Sequence, residues 1–112
     1  MPTSLTDGKI VFIPCEIAPG MTSIEREITI RNPEGPIRAY VTLTSVASDF
    51  KLDSEKKFDG WVKAVIVAFD KDDLRLLFTG QDVDPANPAP VSREWLRDNA
   101  KTEAQLNHRA RS

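Results

Sequence analysis

The 112 residues hold one cysteine and one histidine. A metal centre of the Cys/His kind needs about four such ligands, so that chemistry is excluded by count. Cys15 alone closes no internal disulfide, and nothing points to a cross-linked secreted scaffold. The glycines, at 8, 20, 35, 60 and 80, stand apart from one another, so no phosphate-cradling loop is present. Each lies near the end of an apolar segment, as a turn residue does. No apolar run reaches the roughly 20 residues that cross a bilayer as a helix. The opening Met-Pro-Thr-Ser-Leu-Thr-Asp has neither a basic start nor an apolar stretch. No signal peptide is expected there, and the cytoplasm is the default compartment. A dominant charge is missing too: 15 Lys and Arg against 17 Asp and Glu leave a formal charge of −2. No strong field steers the chain toward nucleic acid or acidic membranes.

What is present is enough apolar sequence, 40% of residues, to build one core in one domain. Residues 9–18 form the first apolar segment. Val11, Ile13, Cys15 and Ile17 share one face, and Ile10 and Phe12 the other. Apolar residues on both faces predict a strand covered on both sides. Pro14 has no N–H to give to a ladder, which predicts an edge position or a bulge. Pro19-Gly20 then turns the chain.

Residues 24–31 alternate with a period of two. Ile24, Arg26, Ile28 and Ile30 lie on one face and Glu25, Glu27, Thr29 and Arg31 on the other. The turn Asn32-Pro33-Glu34-Gly35 leads into 36–46, where Ile37, Ala39, Val41 and Leu43 face inward. The two segments predict a β-hairpin, with Glu25 and Glu27 near Arg38 on its outer face. Residues 47–60 are mostly polar and predict an exposed loop, interrupted by Phe50, Leu52 and Phe58. Trp61 to Phe69 is the most strand-like run, β-branched or aromatic at Val62, Val65, Ile66, Val67 and Phe69. It predicts a central strand buried on both faces, with Val65 turned inward. Asp70-Lys71-Asp72-Asp73 turns it into a partner at 74–79, a second hairpin.

Residues 81–90, with Pro85, Pro88 and Pro90, predict irregular chain. Ser92 predicts the cap of a short helix through Trp95 and Leu96. The expected organisation is one small β domain over 1–98 and a polar tail over 99–112 that frays from a helix. The tail's excess of Arg and Lys reads as a solvated face. The fold class is therefore mainly β: a small barrel or sandwich of two antiparallel hairpins plus an N-terminal strand, with a short C-terminal helix. Val41 then Val46 follow the first hairpin, and Val91 then Trp95 and Leu96 follow the second. This order of elements, over about residues 36–97, resembles the ends of Src-homology-like small barrels. The resemblance lies in the order of elements alone. That family's ligand-groove aromatics are missing, so it implies no binding residues. The pattern fits an internal repeat and two halves of one barrel equally.

Candidate chemistry is sparse. Cys15 shares a face with Val11, Ile13 and Ile17 and reads as a buried hydrophobe rather than a reactive thiol. His108 stands in the tail, where no third group holds an imidazole for catalysis. Asp70, Asp72 and Asp73, and Asp82 with Asp84, could gather oxygens for a hard cation. The calcium-loop pattern is absent, though, and Asp is an ordinary turn residue. Trp61 reads as core or rim packing. Tyr40, set outward between Arg38 and Thr42, suits a protein contact, and Arg38 and Trp95 complete the candidate contact set. No catalytic residue, cofactor or metal is expected. The expected function is a non-enzymatic binding or assembly module, cytoplasmic and of bacterial type. It would act through protein contacts or self-association, because small β domains must cover their edges. The alternative is a nucleic-acid-associated small barrel, which near-neutral charge disfavours.

Overall fold

The computed structural model describes residues 5–20, 22, 24–47, 57–70, 73–84 and 87–106, with backbone alone at 80–84. The strands are β1 (Ile10–Pro19), β2 (Glu25–Ile30), β3 (Ile37–Thr42), β4 (Val46–Ala47), β5 (Phe58–Ala68), β6 (Leu74–Leu77), β7 (Gly80–Asp84) and β8 (Ala89–Val91). A 3-10 turn at Leu43–Ser45 precedes β4, and α1 spans Arg93–Asn99. Seven strands run in the order β7-β3-β2-β1-β5-β6-β8, all antiparallel, and β4 pairs with β5 off this path. They form a nearly closed barrel with a short C-terminal helix.

Alternation builds this barrel. On β1, Val11, Ile13, Cys15 and Ile17 point inward. So do Ile28 and Ile30 on β2, Ile37, Ala39 and Val41 on β3, and Val62, Ala64 and Ile66 on β5. The two hairpins form as expected, β2–β3 pairing Ile30 with Ile37 and β5–β6 pairing Ala68 with Leu74. The β1–β2 turn needs Gly20, because a Cβ there would stand 2.7 Å from the Glu25 carbonyl. In the β2–β3 turn Gly35 takes φ +134°, a conformation that glycine tolerates best.

Several expectations are corrected. Val65 points outward and is half-buried, whereas Ile66 is fully buried, so the inner phase of β5 is opposite to the one expected. Among the described residues, β1 and β5 are fully buried on their inner faces and only partly covered on their outer ones, because a barrel has only one inside. Ile24 is exposed at the entry to β2 rather than buried with Ile28. Arg26 does lie on the inner face, with its guanidinium donating to the Glu25 carbonyl oxygen at 2.6 Å. Arg38 is directly opposed by Thr29, not by a glutamate, and Glu27 by Tyr40. The inferred outer-face charge match is thus replaced by a Tyr40–Glu27 hydrogen bond of 3.4 Å.

Residues 81–90 are not irregular throughout. Gly80–Asp84 contains no proline and extends the sheet beside β3. Asn87 pairs back with Phe78: its side chain accepts from the Phe78 amide (3.1 Å) and donates to the Phe78 carbonyl (3.2 Å). It substitutes for a strand residue in the ladder. Pro90 sits on the edge strand β8, with its carbonyl directed to Asn32. Its missing N–H therefore faces away from β6. Pro14 is tolerated on interior β1 for a related reason. Phe12 exchanges backbone hydrogen bonds with Lys101, and Pro14 shares that orientation. Its side of the strand is the gap between the Lys101 bridge and the β2 ladder, which begins at Glu16.

Ser92 caps α1, its Oγ accepting the Trp95 amide at 3.3 Å. Leu96 and Ala100 are buried in the common core. The chain beyond 98 stays attached as far as it is described. Lys101 is bridged to Phe12, and a helical turn at 103–106 begins at a reciprocal Thr102–Gln105 cap. Of the loop expected over 47–60, Ala47 lies in β4 and residues 58–60 begin β5 instead, paired with the far end of β1; Phe50, Leu52 and His108 lie outside the described residues.

The barrel is latched at one end by the buried Asn32. Its Oδ1 accepts from the Ser92 amide at 3.2 Å, and its Nδ2 donates to the Pro90 carbonyl at 3.5 Å. Asn32→Ala is expected to cost about 1–3 kcal/mol, since it removes both bonds and leaves those backbone groups unpaired in a part-buried setting. Urea unfolding measures this, and a loss below about 0.5 kcal/mol would show that the latch is idle.

Candidate functional site

The expected contact residues are not gathered into one patch. Tyr40 and Arg38 stand on the outer face of β3, Tyr40 half-buried and Arg38 exposed. Trp95 lies on α1, packed against the core, and α1 makes its main strand contact with β1. No hydrogen bond or ring contact among the described residues joins Trp95 to either.

A different surface stands out, on the outer face of β1, β5 and β6. The register sets Ile10 opposite Val65 and Val65 opposite Leu77, a row of three aliphatic side chains across three strands. Ile10 is 50% exposed and Leu77 40%. The neighbouring row on one side holds Phe12 opposite Lys63, with Lys101 bridged to Phe12 beyond it. The row on the other side holds Val67 opposite Arg75. Beyond that, Phe69 is 60% exposed, with the Arg75 guanidinium 4.9 Å from its ring centroid. Asp73 holds Arg75 at 3.1 Å, and Asp7 accepts the Ala68 amide at 2.9 Å.

The opposite face of the barrel is unlike this one. The outer side of β2 and β3 carries Glu25, Glu27, Thr29, Arg38, Tyr40 and Thr42. Glu16, at the end of β1 beside β2, pairs with Arg31 at 3.8 Å and Lys57 at 3.6 Å. Of this row the sequence pattern sets only Ile10, with Phe12, on the second face of its segment; Val65 was expected inward and Leu77 lies in the partner strand at 74–79, so only the cross-strand register shows that they form one row.

Among the described residues no group of three or more His, Cys, Asp or Glu side chains could hold a metal ion. Asp70 accepts the Asp73 amide at 2.9 Å, a local side-chain-to-backbone bond of the kind Asp makes for its own reasons. Asp72 and the side chains of Asp82 and Asp84 lie outside the described residues. No helix among the described residues is long and apolar enough to cross a membrane.

Cys15 is buried on the inner face of β1, opposite Gly60. Burial, and then the nearby Asp59 charge, push its thiol up to about 12 from 9.0. The thiol thus stays neutral in the folded state, while in the unfolded chain it ionises from about pH 9. The folded state holds the proton more tightly there, so its stability contribution is complete below pH 9 and is lost as pH rises toward 12. Native protein should resist thiol reagents at neutral pH and react only on unfolding. Cys15→Ala should cost on the order of 1 kcal/mol and flatten the alkaline loss. Rapid labelling of folded protein would refute the buried-thiol assignment.

Fold and surface together define a small antiparallel barrel with one polar and one apolar outer face. Comparison with protein-family models, with curated proteins and with solved structures found no match.

Proposed function

We propose that this chain is a non-enzymatic assembly module that binds protein through the outer face of β1, β5 and β6. The observation that supports it is the in-register row Ile10–Val65–Leu77, exposed on a barrel whose other outer face is polar. Aliphatic side chains placed side by side on a surface gain free energy when a partner removes them from water. Scattered single exposures would carry no such meaning. The polar part of this face has both signs: Lys63 lies opposite Phe12, and Arg75 pairs with Asp73. Such a mixture suits a protein better than a phosphate backbone, which favours an unbroken basic groove. The compartment proposed for it is the cytoplasm, where a lone thiol needs no disulfide partner.

The test is a photo-cross-linking amino acid introduced at Leu77 in producing cells, with Thr29 on the polar face as control. Light-dependent, protease-sensitive adducts at Leu77 and not at Thr29 are expected. No adduct at Leu77, or equal adducts at both positions, would overturn the proposal. Nuclease-sensitive adducts, with oligonucleotide binding at low salt, would support the nucleic-acid alternative instead.

A further inference from the structure

We infer that the protein partner on this face presents an amphipathic helix with carboxylates along one flank, lying across β1, β5 and β6. The inference rests on the reading above that this face binds protein, and it follows from where unpaired charge stands beside the apolar row. In the next row Phe12 lies opposite Lys63 on β5 and is bridged to Lys101 on its other side. Residues opposed in antiparallel register share a face, so both lysines flank Phe12 on the outer surface. Neither lysine is ion-paired with a described residue. Charges farther out are matched locally. Arg75 is held by Asp73, and Glu16, opposite Asp59 two rows beyond Phe12, lies between Arg31 and Lys57. Past Val67, Asp7 and Asp70 accept the Ala68 and Asp73 amides. Among the described residues, unmatched positive charge therefore borders the row on its Phe12 side and not on its Val67 side.

That layout constrains what can cover the row. A partner that buries Ile10, Val65 and Leu77 also takes water from the two lysines, a cost that facing carboxylates offset and a neutral or basic flank does not. Spacing favours a helix as their carrier. Adjacent strands stand about 4.8 Å apart and successive helix turns about 5.4 Å. Apolar side chains on three successive turns therefore meet the three aliphatic side chains one to one, as in other helix-on-groove contacts. Acidic residues to one side of that stripe then fall over the Lys101–Phe12–Lys63 row, which lies about 7 Å along the strands. An anionic lipid surface is recognised by a cluster of about four to eight cations, more than this row carries.

Two synthetic helical peptides, with binding to the full chain read by fluorescence anisotropy, test this directly. Both carry leucines at i, i+4, i+7 and i+11. One has glutamates along one flank, and the other has lysines at the same positions. The acidic peptide should bind at least about tenfold more tightly than the basic one. Leu77→Asp should abolish that binding. Lys63→Glu combined with Lys101→Glu should reverse the preference, while Lys63→Arg combined with Lys101→Arg should retain it, with folding of each variant checked by circular dichroism. Equal binding of the two peptides, tighter binding of the basic one, binding of neither, or an acidic-peptide affinity indifferent to the charge reversal would overturn the inference. So would Leu77-dependent binding to phosphatidylglycerol vesicles without binding of the acidic peptide. If the peptides fail and Leu77 still gives a protein adduct in cells, the acidic helix is rejected and the protein-binding reading stands. Failure of the peptides and no adduct would reject both.

Discussion

Ile66→Asp should abolish the cooperative folding transition, while Val65→Asp, one residue earlier, should leave a folded barrel. Ile66 is fully buried among the inner side chains of the barrel. An unpaired carboxylate there either costs several kcal/mol or must be protonated at comparable cost. Domains of this kind hold a total of about 5–15 kcal/mol, so the loss consumes most or all of it. Val65 lies on the outer face between Ile10 and Leu77, where a carboxylate reaches water. The pair separates the two faces of one strand, and thermal unfolding followed by circular dichroism reads both. A cooperative transition in the Ile66→Asp protein near the wild-type temperature would mean that β5 presents its other face inward.

The second large effect is expected at Leu96. Its side chain is fully buried and fixes α1 against the barrel, and the following Ala100 and Lys101 carry the chain onto β1. Truncation to Ala should cost about 2–5 kcal/mol, the transfer term plus the cavity left behind. The loss should be felt at a distance. With α1 loosened, the mutual backbone bonds of Phe12 and Lys101, 2.7 and 2.9 Å, lose their support. Native-state hydrogen exchange at these two amides should accelerate in Leu96→Ala more than at the β2–β3 ladder. Uniform acceleration would show that α1 and the barrel open only together. A cost under about 1 kcal/mol would show that the helix is peripheral.

Much of the barrel was legible in period-two alternation, which reports a strand and its two faces without any knowledge of partners. The β2–β3 hairpin follows from Ile28 and Ile30, Ile37 and Ala39, and the intervening Asn-Pro-Glu-Gly turn. The α1 cap at Ser92 was equally readable, since a capping hydroxyl acts within one turn. Where alternation fails, so does the reading. Residues 61–69 are apolar at nearly every position, so the pattern carries no phase, and Val65 was assigned to the inner face that Ile66 occupies. Prolines misled in the opposite direction. They exclude a donor on one side of a strand only, and at Pro14 and Pro90 that side has no ladder partner.

The candidate interaction face shows the same division. Tyr40, Arg38 and Trp95 were selected singly, by residue type and local pattern, and the fold places Trp95 on a different element. Ile10, Val65 and Leu77 lie far apart in the chain, and each alone reads as core. By itself the sequence determined the elements with clear alternation, the helix cap, the lack of a Cys/His metal set and the near balance of charge. These depend on residue type and short spacing. The phase of β5, the closure through Asn32 and the gathering of Ile10, Val65 and Leu77 into one row were decided only by tertiary structure. Each depends on which strands lie side by side and in what register, and that is set by the packing of the whole core.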